Sequence, residues 1–319
     1  MSFTPGAEMG KANQNVFSET LLALAKEDKD ILAVTSDSRG SGKLMSYAAA
    51  LPEQLIEVGI AEQNLVGVAA GLASAGKIVY AVSPASFLTA RALEQIKNDV
   101  CYSDQPVKLV GISAGVSYGA LGSTHHAIHD IAVLRAIHNI TIVVPADNLE
   151  TAEAVKAAAK MTHPVYLRFG KRPMPHLHPP GTTFEVGEAL RIRDGEDIAF
   201  IATGETVYPA LEAAEELDKS GYSTRVISMH TVKPLDAEAV IRAARECRAV
   251  VTVEEHHTSG GLGEACASTL MEANVQVPFK IAGIPDEYTM TGSQVEIFNH
   301  YDLTASGLAR TAIALLEDR

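Results

Sequence analysis

Short apolar runs alternate with helix-like segments along almost the whole of this chain, and that alternation restricts its fold more than any other feature. Ile31-Leu32-Ala33-Val34-Thr35 stops at a polar loop, residues 36–42. Residues 55–58, 78–82, 107–112, 140–144 and 165–169 repeat the apolar run. Residues 13–26, 90–100 and 149–161 carry helical spacing between some of them. Strands that are apolar at every position are covered on both faces. With helices in between, they predict an α/β fold with a doubly wound, mostly parallel sheet.

A Pro- and His-rich stretch, residues 171–181, interrupts the alternation and reads as a linker. Its histidines, His176 and His178, fit a solvated connector better than metal ligands. Beyond it the pattern resumes. Strands are expected at 198–203, 225–228, 249–254 and 279–284, and helices at 206–219, 237–244, 264–272 and 305–316. A length of 319 residues accommodates two domains. The expected division is a first domain over 1–172, a linker over 173–184 and a smaller C-terminal α/β domain over 185–319.

Composition excludes several classes of function. Apolar residues make up 47% of the chain, enough for two cores, and no run approaches the roughly 18 residues that span a bilayer. Residues 1–6 lack the basic and apolar parts of a secretory leader. Cys101, Cys247 and Cys266 form no Cys-x-x-Cys pair, which fits reduced core thiols and a cytoplasmic location. A net charge of −13 with no Lys/Arg cluster argues against nucleic acid. No phosphate loop, dinucleotide fingerprint or nucleophile elbow is present. Gly260-Gly261-Leu262-Gly263 is explained by close packing of a helix on its sheet.

Ligands of doubly wound sheets bind beyond the C-terminal ends of the strands. Four loops qualify: 36–42, 59–64, 83–87 and 113–130. The last combines a Gly/Ser-rich loop with His125, His126 and His129, which is unusual inside a domain. His125 and His129 would share a face if helical and then suit a metal; surface histidines at a helix start are the alternative. In the second loop, Glu62 lies between an apolar strand and a small-residue helix. Such a carboxylate is poorly solvated, its proton affinity is expected to rise, and it then suits acid–base chemistry. Capping of the first helical turn explains the same residue equally simply.

These residues together resemble a known family. Ile60-Ala61-Glu62-Gln63-Asn64 before a Gly/Ala-rich helix, Gly122-Ser123-Thr124-His125 before Asp130–Arg135, Val143-Val144-Pro145-Ala146-Asp147 and Tyr166-Leu167-Arg168 follow, in order, the C-terminal half of transketolase. The resemblance covers nearly the whole chain. It implies thiamine diphosphate-dependent transfer of a two-carbon ketol unit from a ketose to an aldose. It also implies a pyrimidine-binding domain followed by the family's C-terminal domain. The Gly-Asp-Gly…Asn motif that holds the cofactor diphosphate through Mg²⁺ is missing, and Asp194-Gly195-Glu196-Asp197 does not replace it. The implied partner is a separate N-terminal subunit carrying that metal site, in an α2β2 assembly.

By the same resemblance, Glu62 would hydrogen-bond N1′ of the aminopyrimidine and favour its imino tautomer. Phe87 would stack on that ring, with core packing as its alternative. His125 would meet the substrate hydroxyls. Arg168 would grip a terminal phosphate, or else form a structural ion pair. Ser38, in the 36–42 loop, counts as a further substrate contact. No residue here is expected to bind metal. Leu121 stands where the family commonly has an acid, Ser113 where it has a second histidine, and Gly10 near where it has a second phosphate-gripping arginine. Fewer anchors for a pentose phosphate suggest a branched, deoxy or sulfonated sugar. Three alternatives stay open. They are a pyruvate-using carboligase like 1-deoxyxylulose-phosphate synthase, a 2-oxo-acid dehydrogenase beta subunit, and a non-catalytic regulatory subunit that keeps the fold.

Overall fold

The computed structural model describes residues 3–317; Met1 and Ser2, part of the stretch read for a leader, and Asp318 and Arg319 lie outside the described residues. The first domain contains the strands β1 (Met9–Ala12), β2 (Ile31–Thr35), β3 (Leu55–Glu57), β4 (Ile78–Pro84), β5 (Lys108–Ile112), β6 (Thr141–Val143), β7 (Val165–Arg168) and β8 (Pro173–Pro175). Its helices are α1 (Asn13–Glu27), α2 (Met45–Ala50), α3 (Glu62–Ser74), α4 (Ala85–Arg91), α5 (Leu93–Gln95), α6 (Asp130–Arg135) and α7 (Asn148–Lys160). In the second domain the strands are β9 (Leu190–Arg193), β10 (Ile198–Ala202), β11 (Thr224–Ser228), β12 (Thr231–Lys233), β13 (Ala249–His257) and β14 (Phe279–Ile284). Its helices are α8 (Val207–Lys219), α9 (Ala237–Glu246), α10 (Leu262–Glu272), α11 (Gln294–His300) and α12 (Ala305–Glu317).

The main sheet runs β12-β6-β7-β5-β4-β2-β3 and the second β14-β13-β10-β11-β9. Both are parallel except at an edge, where β12 opposes β6 and β9 opposes β11. Every residue of β2, β5, β10 and β11 is buried, as their unbroken apolar character requires.

Three features depart from the sequence reading. The single helix expected over 90–100 is instead α4, a break at Ala92, α5 and a π-helical stretch, Ile96–Tyr102. Pro84 ends β4 and the helix starts at the next residue. β12 lies beyond the linker in sequence yet closes the edge of the first domain's sheet, Thr231 pairing with Val143. The linker, finally, is not a solvated connector. β8 pairs with β1, His178 is buried with its Nε2 2.7 Å from Glu150 Oε1, and Asp147 Oδ2 accepts the Leu177 N–H.

One hydrophobic core joins Val116, Ile128 and Ala146 of the first domain to Phe200, Val253 and Ile284 of the second. Among the described residues no helix is long and apolar enough to cross a membrane.

Candidate functional site

Gly59 turns the chain with φ +74° at the end of β3, and α3 begins three residues later with Glu62. Glu62 is 1% exposed. Its Oε2 accepts a hydrogen bond from Arg91 Nη1 at 2.7 Å, while Oε1 has no hydrogen-bond partner among the described residues. Arg91 ends α4, and its guanidinium lies 4.8 Å from the centre of the Phe87 ring. Phe87 meets His125 edge to face at 5.2 Å, and His125 meets Tyr118 in the same way at 5.5 Å. Lys171 Nζ sits 4.7 Å over the Tyr118 ring. Glu62, Arg91, Phe87, His125, Tyr118 and Lys171 therefore form one continuous line, carried by loops and helices that follow β3, β4, β5 and β7.

A cleft of about 340 Å³ opens beside this line, lined by Ser86, Phe87, Arg91, Thr124, His126 and His129. Phe87 is half-buried in it and packs into none of the hydrophobic cores. Ser86 Oγ is buried without a hydrogen-bond partner. An aromatic face, a free carboxylate oxygen and a free hydroxyl suit a flat heteroaromatic ring that both donates and accepts hydrogen bonds. His125 and His129 share no helix, because α6 starts only at Asp130, so the i, i+4 chelation geometry does not arise.

Arg168 and Ser38 are not part of the line. Arg168 is 6% exposed; its Nε donates to Asp130 Oδ2 at 2.8 Å, and its Nη2 to the carbonyls of Ala127 and Glu255, each at 2.9 Å. Tyr166 donates to the same Asp130 oxygen at 2.7 Å. A Cβ on Gly111 would lie 2.2 Å from that tyrosine hydroxyl, so only glycine leaves it room. Burial alone would lift the Asp130 carboxyl, but the Arg168 guanidinium outweighs it and holds the group below the usual carboxylate range. Arg168 is thus an ion-paired brace between the domains, in place of the phosphate grip expected of it. Ser38 is buried, and its hydroxyl donates to the Ser36 carbonyl at 2.9 Å, which closes its own loop.

Sequence reasoning missed Arg91, Tyr118 and Lys171. Arg91 is a lone cation on an otherwise uncharged helix, and that was the only available signal. A second group it missed lies at the domain boundary. Gln294 donates to Glu205 Oε2 at 3.2 Å and Glu255 Oε1 at 2.7 Å, and the Val116 N–H also donates to Glu255 Oε1. Burial, reinforced by Glu255, pushes Glu205 up to about 8.

Two families match the chain: transketolase, pyrimidine binding domain, over residues 10–175, and transketolase, C-terminal domain, over residues 187–308. One of the two subunits of an apulose-4-phosphate transketolase from Phocaeicola vulgatus is 47% identical over 302 residues, covering 94% of this chain and 96% of that protein. A 6-deoxy-6-sulfo-D-fructose transketolase subunit of a Clostridium species is 35% identical, covering 95% of this chain and 94% of that one. Among solved structures, one described as a split gene transketolase, inactive beta4 tetramer, superposes with a TM-score of 0.86 at 36% identity, over 96% of this chain and 98% of its own.

Proposed function

Since the chain belongs to the transketolase family and is the C-terminal subunit of a split member of it, we propose that the line from Glu62 to Lys171 is its half of a shared active site. The observation that carries this reading is the assembly of Glu62, Arg91, Phe87 and His125 beyond the strand ends, with Glu62 Oε1 unpartnered.

The family depends on thiamine diphosphate, which when bound supplies a nucleophilic carbon and an electron sink. Arg91 fixes the Glu62 carboxylate through Oε2 and leaves Oε1 to meet the ring nitrogen N1′. Phe87 offers its face to the aminopyrimidine and Ser86 a second polar contact. His125 holds or moves a proton at a sugar hydroxyl. With Arg168 committed to Asp130, the exposed Lys171 beside Tyr118 is the charge that meets the anion of the substrate.

The diphosphate and its divalent ion belong to a second, N-terminal subunit, in an α2β2 assembly. Ile60, beside Glu62, is 75% exposed, and Leu121, beside the histidine loop, is 53% exposed. Apolar side chains at the rim of a polar site are what a partner covers. Cys101, Cys247 and Cys266 are buried and unpaired, which suits a cytoplasmic enzyme.

The substrates are anionic but non-standard sugars, branched, deoxy or sulfonated. Leu121 in place of an acid supports this, as do relatives named for apulose 4-phosphate and 6-deoxy-6-sulfofructose. The test is a donor and acceptor panel assayed with the reconstituted partner. Preferential turnover of a non-standard sugar is expected; a strong preference for xylulose 5-phosphate would overturn the substrate assignment. Activity that requires pyruvate would point to the 1-deoxyxylulose-phosphate synthase reading instead.

A further inference from the structure

We propose that Thr289, on a loop of the C-terminal domain, is a positioning residue for His125 of the first domain. The proposal rests on the role given to His125 above. Residues 285–290 form an exposed loop in which Thr289 alone is buried. A polar side chain turned inward from such a loop has partners there, and its partners flank His125.

His126 is the first of them. It is 2% exposed, its Nε2 lies 3.0 Å from the Gly119 carbonyl and its Nδ1 2.5 Å from Thr289 Oγ1. A carbonyl only accepts, so Nε2 carries the hydrogen. Nδ1 is then an acceptor and the Thr289 hydroxyl donates to it. Burial, the largest influence on this imidazole, holds it below the usual range and keeps it neutral, consistent with that tautomer. The second partner is Ser123, whose Oγ lies 3.1 Å from both the carbonyl and the hydroxyl of Thr289. One side chain therefore ties down residues 123 and 126, on either side of His125.

The backbone is as closely fitted. Gly119 (φ +45°) and Gly122 (φ +70°) adopt conformations that favour glycine. A Cβ on Gly119 would lie 2.6 Å from the Gly292 carbonyl oxygen, and one on Gly122 would lie 2.9 Å from Thr291 Oγ1. The histidine loop thus lies directly on residues 289–292. His125 has few fixings of its own. Its ring makes one side-chain hydrogen bond, to the adjacent Thr124, and edge contacts with Phe87 and Tyr118. Its placement is inherited from the loop, and the loop is held by the second domain.

The test is a double-mutant cycle in the complex with the partner subunit, using Thr289→Val, Thr289→Ser and His125→Ala. Thr289→Val is expected to lower kcat/KM for the donor about tenfold through misplacement of His125. Thermal unfolding and the Kd for thiamine diphosphate should stay at wild-type values, because Glu62 and Phe87 stand on other elements. Thr289→Ser, which keeps the hydroxyl, should restore most of the loss. In a His125→Ala background, Thr289→Val should cost almost nothing more. An undiminished loss in that background, or wild-type kinetics for Thr289→Val while His125→Ala is impaired, would overturn the proposal and leave the function of the site intact. Wild-type turnover by His125→Ala would remove the catalytic role itself, and the proposal with it. If Thr289→Val does not fold, His126→Phe breaks the same hydrogen bond from the other side and is read by the same outcomes.

Discussion

Glu62 is gripped at one oxygen by Arg91 and left free at the other, a division of labour that suits a carboxylate oriented for a ligand. Glu62→Gln, assayed with the partner, is expected to lose turnover by about 10²-fold or more while thermal unfolding stays unchanged. Near-normal activity would dismiss the assignment. Arg168 and Lys171 separate stability from binding. Removing Arg168 strands the buried Asp130 charge, so Arg168→Ala should cost about 3–5 kcal/mol in urea unfolding. Lys171→Ala should shift stability by no more than about 0.5 kcal/mol, since the residue is exposed, and instead raise KM for the donor. Unaltered stability in Arg168→Ala with a raised KM would return the phosphate grip to Arg168. Glu62 and His125 were legible because each sits in a short contiguous motif. Arg91 was not, since its partner lies 29 residues away and the contact exists only once β3 and β4 share a sheet. For the same reason the choice between a phosphate grip and an ion pair at Arg168 turned on Asp130, 38 residues away.

The strands were legible as elements because continuous apolar runs leave few alternatives, and the observed edges differ from the expected ones by a residue or two. β12 was hidden because Thr231–Lys233 is short and partly polar, and nothing local says that it joins the other domain's sheet. The turn at Gly204–Thr206 was hidden for a different reason: the significance of Glu205 comes from Glu255 on β13 and Gln294 on α11. This group gives a pH prediction with a definite sign. Glu205 is raised from 4.5 to about 8 in the fold. Below 4.5 it is protonated both folded and unfolded. Between the two values only the unfolded chain ionises, so wild-type stability falls as pH rises across that window. Glu255 opposes ionisation there, while Gln294, Arg172 and Arg168 favour it, with burial the largest influence. Glu205→Gln should abolish the decline, matching wild type at low pH and exceeding it by on the order of 3 kcal/mol at pH 8. Parallel pH–stability curves for the two proteins would contradict the buried neutral acid.

At the scale of the whole molecule, the two domains share a core, a sheet edge, the Arg168 brace and the histidine loop. The site they build remains one wall, rimmed by exposed Ile60 and Leu121. The division into pyrimidine-binding and C-terminal domains was legible because their motifs follow one another in the chain. The contacts between them were not, because they depend on three-dimensional packing at the Thr289 loop and at Glu255. The central claim is a cofactor site shared between two chains. Its most direct test is a calorimetric titration of thiamine diphosphate with Mg²⁺ into this chain, into the N-terminal subunit that carries the Gly-Asp-Gly…Asn motif, and into an equimolar mixture. Saturable tight binding is expected in the mixture and in neither chain alone, and it should weaken when the mixture contains Glu62→Gln. Binding by this chain alone with the affinity of the mixture, or none in the mixture, would contradict the shared site.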